Sequence, residues 1–527
     1  MKKILFSILL FLFASSKEMS QYLTESFNES SYFTTWATAI ISTAAPNIPL
    51  SNNSLRQIVH ISASGEYLRL KLSNKLGKTN LEIKEIIISD SVAQGTGEIN
   101  VNTLTPVTFK GENGIIIPSG EEIYSDTVSY NLKSLSDLAI SFYFGETPER
   151  ISGHTNSKTY SFIEEGNKIN EQTFSNENKI DHWYFISAIE VVSNPPKKTI
   201  VCFGDSITDG AGADIDKNNK WPDFLSLKLH LNKETSDIAV VNKGINGNKI
   251  TTQGIERYSY DVLDIKGVTY IMVLYGVNDI NLLNATSSDV ISAYKQIIKQ
   301  AHENNILIFA GTILPYGNFF RWTEERENYR QEVNKWIRNT KPEEGGFDAV
   351  FDYDELLRDP NDETKLLKIY DSGDGIHPNS EGNSKIVQSI DNLELFTKNP
   401  NFNDETKDKE IKLIDIIGVK FKLNFEIKKD EEINVKITGN CIGSKGFRIL
   451  ANKEDEKSSE YYYTGKIEKG KFEISIKLKV YEDSNYIVIR RPISTINIDN
   501  IILDSIEVSL EDKNQMFTSV DECIFIK

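Results

Sequence analysis

The sequence predicts an α/β domain with a mostly parallel sheet, flanked by an N-terminal and a C-terminal β-sandwich domain. This prediction rests on hydrophobic periodicity, which changes twice along the 527 residues. Residues 21–195 and 411–527 contain short runs in which apolar and polar residues alternate. In residues 199–395, apolar runs alternate with helical stretches instead. The polar, charged stretch at 396–410 has no periodicity and is typical of a linker.

The first segment has the pattern of antiparallel strands. Residues 67–72, 138–144 and 182–187 alternate between apolar and polar side chains, and Gly, Asn and Ser bound these runs. A period of two indicates strands with one buried face, which predicts a β-sandwich. The consecutive prolines Pro195 and Pro196 then interrupt the pattern, as expected at a domain junction.

The middle segment contains five apolar runs that we expect to be strands: 199–203, 238–241, 268–275, 306–312 and 348–352. Residues 288–304 lie between two of these runs and carry apolar side chains at three- and four-residue spacing, which predicts a helix. Strands that alternate with helices indicate a mostly parallel sheet covered on both faces. Ligands of such domains bind at the carboxyl ends of the strands.

The C-terminal segment returns to alternating strands, which predicts a second β-sandwich: 433–437, 472–480, 486–489 and 500–510. Alternation places Tyr461 and Tyr463 on one face. Exposed aromatic rings there could stack on sugars, which makes the domain a candidate carbohydrate-binding module. The alternative is that both rings fill the core or form a cross-strand pair.

Composition excludes several classes of protein. The chain has 59 Lys and Arg against 76 Asp and Glu, a net charge of −17. Nucleic acid and anionic membrane surfaces require a basic face, so we expect neither as a partner. Only 3 Cys, 31 Gly and 14 Pro exclude a disulfide scaffold and a collagen-like chain. The oligomeric state has no sequence signal.

The N-terminal residues 1–16 resemble a signal peptide, with Lys2 and Lys3 before a short apolar run and small residues before a cut after Ser16. The sequence therefore predicts a secreted protein. The apolar run is too short to span a bilayer, and no later stretch is long enough for an integral membrane segment.

Secretion permits disulfides. Cys441 and Cys523 lie in the same C-terminal region and could pair, and Cys202 in a predicted strand is expected to be a buried, inert thiol.

A first candidate motif spans residues 204–210, begins with Gly204-Asp205-Ser206 and ends with Asp209-Gly210, directly after the predicted strand 199–203. A serine at a strand-to-helix transition projects its hydroxyl above the edge of the sheet, as a nucleophile must. The same residues could also form an ordinary turn or helix cap.

A second candidate motif is Asp374-Gly375-Ile376-His377. A carboxylate three residues before a histidine can hold the Nδ1–H of the imidazole, which leaves Nε2 free to take a proton from a serine. The alternative is a solvated loop histidine. Among the six histidines, His377 alone combines a carboxylate at this spacing with a following proline.

Two further Gly/Asn-rich motifs follow predicted strands. Asn278, after strand 268–275, offers a carboxamide that can donate to a developing oxyanion. Residues 242–248, after strand 238–241, contain glycines that let a backbone N–H approach a ligand. Taken singly, each is also consistent with a turn that closes a strand.

The order and content of the four motifs resemble the SGNH, or GDSL-type, esterase and acylhydrolase superfamily over residues 199–395. The resemblance implies a three-layer α/β/α hydrolase domain in which Ser206 is the nucleophile, His377 the general base and acid, and Asp374 its orienting partner. It also implies an oxyanion hole formed by the backbone N–H groups of Ser206 and Gly247 and the side chain of Asn278. The N-terminal segment is similar, more loosely, to a β domain that precedes some bacterial hydrolases of this type.

These residues predict ester cleavage through an acyl-enzyme. Serine needs an adjacent base to become a nucleophile, and His377 must be neutral to act, so activity should fall as pH drops. No cluster of His, Cys and Asp has metal-ligand spacing, so neither a metal nor another cofactor is expected.

The substrate is predicted less directly. Polar insertions such as 214–220 and 316–326 favour a short acyl group on a soluble or polymeric carrier. Together with secretion and the flanking β domains, they suggest an esterase that removes acetyl groups from extracellular polysaccharide. The alternatives are an acylhydrolase of the lipase or lysophospholipase type and a non-catalytic, secreted glycan-binding protein.

Overall fold

The computed structural model describes residues 24, 27–193 and 197–398, and the backbone of ten strands between 411 and 526. The chain divides into two compact units, Met1–Phe402 and Asn403–Lys527. The predicted signal peptide, the Pro195–Pro196 junction and most of the predicted linker lie outside the described residues. The side chains of Tyr461, Tyr463, Cys441 and Cys523 lie outside them as well.

The N-terminal region of the first unit is rich in β-strands, and its two largest sheets are antiparallel. One sheet has the order β1-β17-β4-β10 with β9 beside β4, and the other has the order β15-β13-β3-β11-β5-β7 with β8 beside β5. The strands are β1 (Tyr32–Ala37), β2 (Ile41–Thr43), β3 (Asn53–His60), β4 (Gly65–Ser73), β5 (Leu81–Asp90), β6 (Gly97–Glu98), β7 (Thr105–Val107), β8 (Ile115–Ile117), β9 (Glu122–Tyr124), β10 (Val128–Leu132), β11 (Asp137–Phe144), β12 (Ile151–Thr155), β13 (Ser161–Glu165), β14 (Thr173–Phe174), β15 (Lys179–Ile180), β16 (His182–Tyr184) and β17 (Ile186–Val192).

Apolar residues from both sheets form one shared core, including Leu70 on β4 and Ile140 on β11. The run 182–187, however, is not one strand as its alternation predicts. Phe185 has a φ of 60°, which divides the run into β16 and β17. Because β16 pairs with β12 whereas β17 pairs with β1 and β4, the chain changes sheets at this residue.

The second region is built on a five-stranded parallel sheet with the order β19-β18-β20-β21-β22. Its strands start within one residue of the five predicted runs: β18 (Thr199–Gly204), β19 (Ala239–Gly244), β20 (Val268–Leu274), β21 (Leu307–Gly311) and β22 (Ala349–Phe351). A small hairpin of β23 (Arg358–Asp359) and β24 (Asp362–Leu366) follows. Every residue of β18 is buried, so both faces of this central strand are covered.

Helical segments connect the parallel strands. The α-helices in the described residues are α1 (Ser206–Asp209), α2 (Trp221–His230), α3 (Ile255–Tyr258), α4 (Ser287–Glu303), α5 (Glu324–Asn339), α6 (Tyr353–Leu357) and α7 (Ser380–Gln388). Short π-helical segments span Ile250–Gly254, Ser259–Leu263 and Asp279–Leu283, and 3₁₀ turns span Glu29–Ser31, Val101–Thr103, Pro342–Glu344 and Leu393–Phe396.

Helix α4 follows its sequence pattern. It was expected over 288–304 and begins where Thr286 and Asp289 form a reciprocal capping box. The apolar positions Val290, Ile297 and Ala301 are buried, which is the face that the three- and four-residue spacing predicts.

The β-rich region and the parallel sheet are joined by hydrogen bonds. The backbone N–H of Thr34 on β1 donates to the carbonyl of Lys266 at 2.9 Å, and the N–H of Val240 on β19 donates to Ser62 Oγ at 3.1 Å. The ammonium of Lys243, also on β19, donates to the carbonyl of Thr38. These buried bonds fix the position of β19 against the β-rich region.

The second unit contains two antiparallel sheets of five strands each among its described residues. One has the order β25-β32-β27-β30 with β33 beside β32, and the other has the order β29-β28-β31-β26-β34. The strands are β25 (Ile411–Lys412), β26 (Gly418–Ile427), β27 (Glu432–Cys441), β28 (Lys445–Asn452), β29 (Tyr463–Ile467), β30 (Gly470–Lys479), β31 (Ser484–Arg490), β32 (Ile501–Leu510), β33 (Lys513–Phe517) and β34 (Cys523–Ile526).

Candidate active site

Ser206 stands at the carboxyl end of β18, where the chain turns directly into α1. Asp205 caps this short helix, because its Oδ1 accepts the N–H of Ile207 at 3.0 Å. The turn also requires glycine at position 204. A Cβ there would lie 2.0 Å from Thr208 Oγ1 and 2.6 Å from the carbonyl oxygen of Leu274. The turn leaves Ser206 only 7 % exposed.

The structure brings Ser206, His377 and Asp374 into one hydrogen-bonded row. Ser206 Oγ lies 2.8 Å from His377 Nε2, and His377 Nδ1 lies 2.6 Å from Asp374 Oδ2. Because the Asp374 carboxylate only accepts, Nδ1 carries the hydrogen and Nε2 is left to accept from the serine hydroxyl. This arrangement can make the serine oxygen nucleophilic.

The loop that carries Asp374 and His377 is held in place by its own backbone. Asp371 Oδ1 accepts the N–H groups of Gly373 and Gly375, and the N–H of Ser372 donates to the carbonyl of His377 at 3.0 Å. Gly375 has a φ of 80°, and a Cβ there would lie 2.6 Å from the carbonyl carbon of Asn318. Glycine is therefore required at position 375 both for its conformation and for its close packing.

The Asp374 carboxylate is stabilised in its charged form. Partial burial raises its pKa, but the bonds from the His377 ring and from the backbone N–H groups of His377 and Ile376 outweigh this effect. They hold the pKa of Asp374 well below its usual range. Asp374 is thus a carboxylate at any pH at which His377 could act as a base.

The two other predicted oxyanion donors lie on loops that a hydrogen bond connects. Asn278 Nδ2 donates to the carbonyl of Asn248 at 3.2 Å, and Asn248 directly follows Gly247. Gly247 has a φ of 71°, and a Cβ there would meet no atom within 4 Å. The backbone at Gly247 therefore borders open space, as a ligand-facing N–H requires.

Asp279 has a role that its sequence position did not suggest. Its carboxylate accepts the backbone N–H groups of Ile250 and Thr251, at 3.0 and 2.9 Å, and the hydroxyl of Thr251 at 2.7 Å. Burial nevertheless raises the pKa of Asp279. Because Asp279 follows Asn278 and binds the backbone just beyond Asn248, it fixes these two loops against each other.

Arg257 is a second residue that the sequence analysis missed. Its buried guanidinium donates to the carbonyls of Gly204 and Lys243, at 3.0 and 2.8 Å, which are at or near the ends of β18 and β19. It also donates to Asn248 Oδ1 at 3.0 Å. One arginine thus joins the strand before Ser206 to the loop that carries Gly247. A lone arginine on a short helix has no sequence signal for such a role.

The sequence analysis also made predictions about metal sites, membrane-spanning segments and Cys202. In the part of the chain that the structure describes, no group of three or more His, Cys, Asp and Glu residues could hold a metal ion. Within the same residues, no helix combines the length and apolar character needed to cross a bilayer. Cys202 is fully buried, and burial raises the pKa of its thiol well above the ordinary value.

Comparison with known proteins identifies the region that carries these residues. Residues 200–390 match the family model of the GDSL-like lipase/acylhydrolases. None of the curated proteins matches the chain.

Solved structures similar to the chain include three proteins of low identity. A putative lipolytic protein of the G-D-S-L family from Desulfitobacterium hafniense DCB-2 is 23 % identical over 37 % of this chain and 97 % of its own, with a TM-score of 0.30. A lipase/acylhydrolase from Enterococcus faecalis is 22 % identical over 37 % and 93 %, with a TM-score of 0.30. The acetyl xylan esterase AlAXEase is 23 % identical over 36 % and 97 %, with a TM-score of 0.29.

The family match covers the five parallel strands, except the first residue of β18, and both motifs that contribute to the Ser206–His377–Asp374 row. Residues 200–390 of this chain are therefore a domain of the GDSL-like lipase/acylhydrolase family.

Proposed function

We propose that the protein is a secreted serine carboxylic-ester hydrolase that removes short acyl groups, acetyl above all, from extracellular polysaccharide. The single observation that supports the chemistry best is the row of contacts from Ser206 Oγ through His377 to Asp374, with distances of 2.8 and 2.6 Å. It supplies a nucleophile, a base and a group that orients the base.

In the first step, Ser206 Oγ attacks the ester carbonyl carbon while His377 Nε2 takes the hydroxyl proton. Asp374 holds the Nδ1–H and stabilises the imidazolium that forms. The imidazolium then gives its proton to the leaving alcohol oxygen as the ester C–O bond breaks. An acyl-enzyme on Ser206 and a free alcohol result.

The carbonyl oxygen becomes negative during this attack and needs hydrogen-bond donors. We assign this role to the backbone N–H groups of Ser206 and Gly247 and to the side-chain amide of Asn278. The Asn278 amide carries two hydrogens, and its bond to Asn248 uses one of them. The second hydrogen is the one that we assign to the oxyanion.

In the second step, water replaces the alcohol. His377 takes a proton from the water as its oxygen attacks the acyl carbon, and returns the proton to Ser206 Oγ as the acyl-enzyme breaks. The products are a carboxylic acid and the regenerated serine. No other reactant is required.

The wider proposal keeps the architecture predicted from sequence. It comprises a signal peptide at 1–16, an N-terminal β-sandwich at 21–195, a three-layer hydrolase domain at 199–395 and a linker at 396–410. The β-sandwich at 411–527 is proposed as a carbohydrate-binding module. Retention of the full chain on insoluble polysaccharide, compared with a chain that ends at residue 398, tests the last assignment.

One observation favours a second candidate, an acylhydrolase that acts on lipids. Loops that follow the strands or flank the His377 motif expose apolar side chains: Phe320 is 81 % exposed, Ile369 62 % and Leu283 45 %. Large exposed apolar groups at the edge where substrate would enter suit an acyl chain or a lipid surface.

The deciding experiment is hydrolysis of 4-nitrophenyl acetate, butyrate and octanoate by the mature chain, with Ser206→Ala alongside. Rapid acetate cleavage that the variant lacks supports the acetyl esterase and directs the next assay to acetylated polysaccharides. A strong preference for octanoate supports the lipid acylhydrolase. Absence of Ser206-dependent hydrolysis on every ester contradicts both and favours a glycan-binding protein.

A further inference from the structure

A buried histidine–aspartate contact connects the β-rich region to the helix that begins with Ser206. His154 on β12 directs Nε2 at Asp209 Oδ1, at 2.8 Å, and Asp209 is the last residue of α1. The His154 Nδ1 lies 2.8 Å from the carbonyl oxygen of Ala39. His154 is only 2 % exposed and the Asp209 side chain only 5 %, so both groups are withdrawn from water.

The partners of His154 determine where hydrogens must lie. A backbone carbonyl can only accept, so Nδ1 carries a hydrogen that it donates to Ala39. A second hydrogen must lie between Nε2 and Asp209 Oδ1, since two bare lone pairs would otherwise face each other. The contact is therefore a buried hydrogen bond that ties the position of Asp209 Oδ1 to His154.

The second oxygen of Asp209 reaches the loop that carries Gly247. Asp209 Oδ2 accepts the backbone N–H of Asn246, the residue directly before Gly247, at 3.1 Å. The loop also packs tightly on the backbone of α1, because a Cβ on Gly244 would lie 2.2 Å from Asp209 N. One carboxylate thus contacts His154 with one oxygen and the Gly247 loop with the other.

We propose that His154 is a positioning residue for ester hydrolysis, which acts through Asp209 to hold the Gly247 backbone N–H where the oxyanion develops. This inference rests on the proposed function. A donor that is displaced by a fraction of an ångström stabilises the transition state less while still admitting the ground-state ester. Loss of His154 would leave Asp209 Oδ1 buried without its hydrogen-bond partner, so the contact of Asp209 with Asn246 would loosen.

The expected signature is a loss in kcat without a matching change in KM. His154→Ala and Asp209→Ala should each lower kcat for 4-nitrophenyl acetate about 10- to 100-fold, with KM within about twofold. Their affinity for phenylboronic acid, whose serine adduct presents an anionic oxygen to the same donors, should fall by a similar factor.

Asp209→Asn separates positioning from charge. Its side-chain nitrogen can donate to the Nε2 of a neutral His154 while its oxygen accepts the Asn246 N–H, so both contacts survive without a carboxylate. This conservative variant should recover most of the kcat that Asp209→Ala loses. His182→Ala is the matched control. His182 pairs with Asp181 inside the β-rich region, and its loss should leave both kinetic constants unchanged.

Wild type and Ser206→Ala are measured in parallel, so that the positioning role of His154 and the proposed esterase function are tested separately. If wild type is active through Ser206 and His154→Ala keeps its kcat and its boronate affinity, the positioning role is overturned and the proposed function stands. If wild type has no Ser206-dependent activity, the proposed function fails and the positioning role fails with it. If His154→Ala does not fold, the comparison of Asp209→Asn with Asp209→Ala decides. Equal kcat losses in those two variants overturn the proposal.

Discussion

Asn278 donates its side-chain amide to the backbone carbonyl of Asn248 at 3.2 Å. The bond joins the loop after β20 to the loop after β19, and these two strands are the neighbours of β18, the strand that precedes Ser206. The side chain that would bind the oxyanion therefore also holds the segment next to Gly247, the second proposed donor. Both donors are set before a substrate arrives, which is what makes such a site effective.

Asn278→Ala should therefore lower kcat about 10²- to 10³-fold, because it removes one donor and loosens another. KM should change little, since the ground-state ester makes weaker use of these hydrogens. Steady-state kinetics on 4-nitrophenyl acetate measure both constants. Asn339→Ala, which removes an exposed amide at the end of α5, serves as the control and should match wild type. A kcat for Asn278→Ala within threefold of wild type would exclude Asn278 from the oxyanion hole.

Ser206→Ala should lower kcat by about 10⁴- to 10⁶-fold, because no other hydroxyl is in contact with His377 among the described hydrogen bonds. A fluorophosphonate should add covalently to wild type and not to the variant, as intact-mass spectrometry would detect. Ser292→Ala removes an exposed hydroxyl on α4 and should leave both readouts intact. Substantial activity in Ser206→Ala would refute the assignment of the nucleophile.

Asp374→Asn should lower kcat about 10³- to 10⁴-fold at unchanged KM. An amide at this position can donate to Nδ1, which favours the tautomer that carries the hydrogen on Nε2 and cannot accept from Ser206. Asp391→Asn, at an exposed carboxylate, is the control. Comparable rates for Asp374→Asn and wild type would mean that His377 does not need this partner.

Protonation of Asp374 should not limit activity between about pH 5 and 8. A lowered pKa means that the Asp374 carboxylate persists until the pH falls well below its ordinary range. Between about pH 5 and 8, any loss of activity with acidity should therefore come from groups other than Asp374. The measurement is kcat/KM for 4-nitrophenyl acetate across this range. If wild type lost activity on the acid side of this range and Asp374→Asn did not, Asp374 itself would titrate there, which contradicts the prediction.

The sequence predicted the parallel sheet and its motifs because their signals are local. A strand buried on both faces is a continuous apolar run, so all five runs were visible without the structure. The carboxyl ends of such strands share one edge of the sheet, which places Ser206 and Asn278 on the same edge. By contrast, the break at Phe185 depends on which sheets the flanking strands join, and alternation alone does not carry that information.

Sequence patterns could not predict which side chains from distant segments are in contact. His154 and Asp209 are separated by 55 positions, and Arg257 and Gly204 by 53. His154 and Arg257 are each a single polar residue in a segment that shows no motif. Only the tertiary packing of the β-rich region against β19 and α1 makes them partners, so they were absent from the predicted site.

Asp205 should make the free energy of unfolding depend on pH. Burial raises the pKa of Asp205 to about 7, and the nearby Asp279 acts in the same direction. The cap bond from Ile207 and the effect of His377 lower this pKa but do not outweigh burial. One of its oxygens, Oδ2, has no hydrogen-bond partner among the described residues. In the unfolded chain the same carboxyl ionises near its ordinary pKa of 3.8.

The sign follows from proton counting. Between about pH 4 and 7 the folded protein keeps the Asp205 proton and the unfolded chain has lost it, so the free energy of unfolding falls as pH rises, by at most about 1.4 kcal/mol per pH unit. Above about pH 7 Asp205 is ionised in both the folded and the unfolded chain, so its contribution to the free energy of unfolding no longer changes with pH.

Asp205→Asn keeps an oxygen for the Ile207 N–H and removes the ionisation. Urea unfolding at pH 5 and pH 8 should therefore show a smaller decrease for this variant than for wild type, whereas Asp391→Asn should follow wild type. Parallel decreases in wild type and Asp205→Asn would mean that Asp205 is already ionised at pH 5.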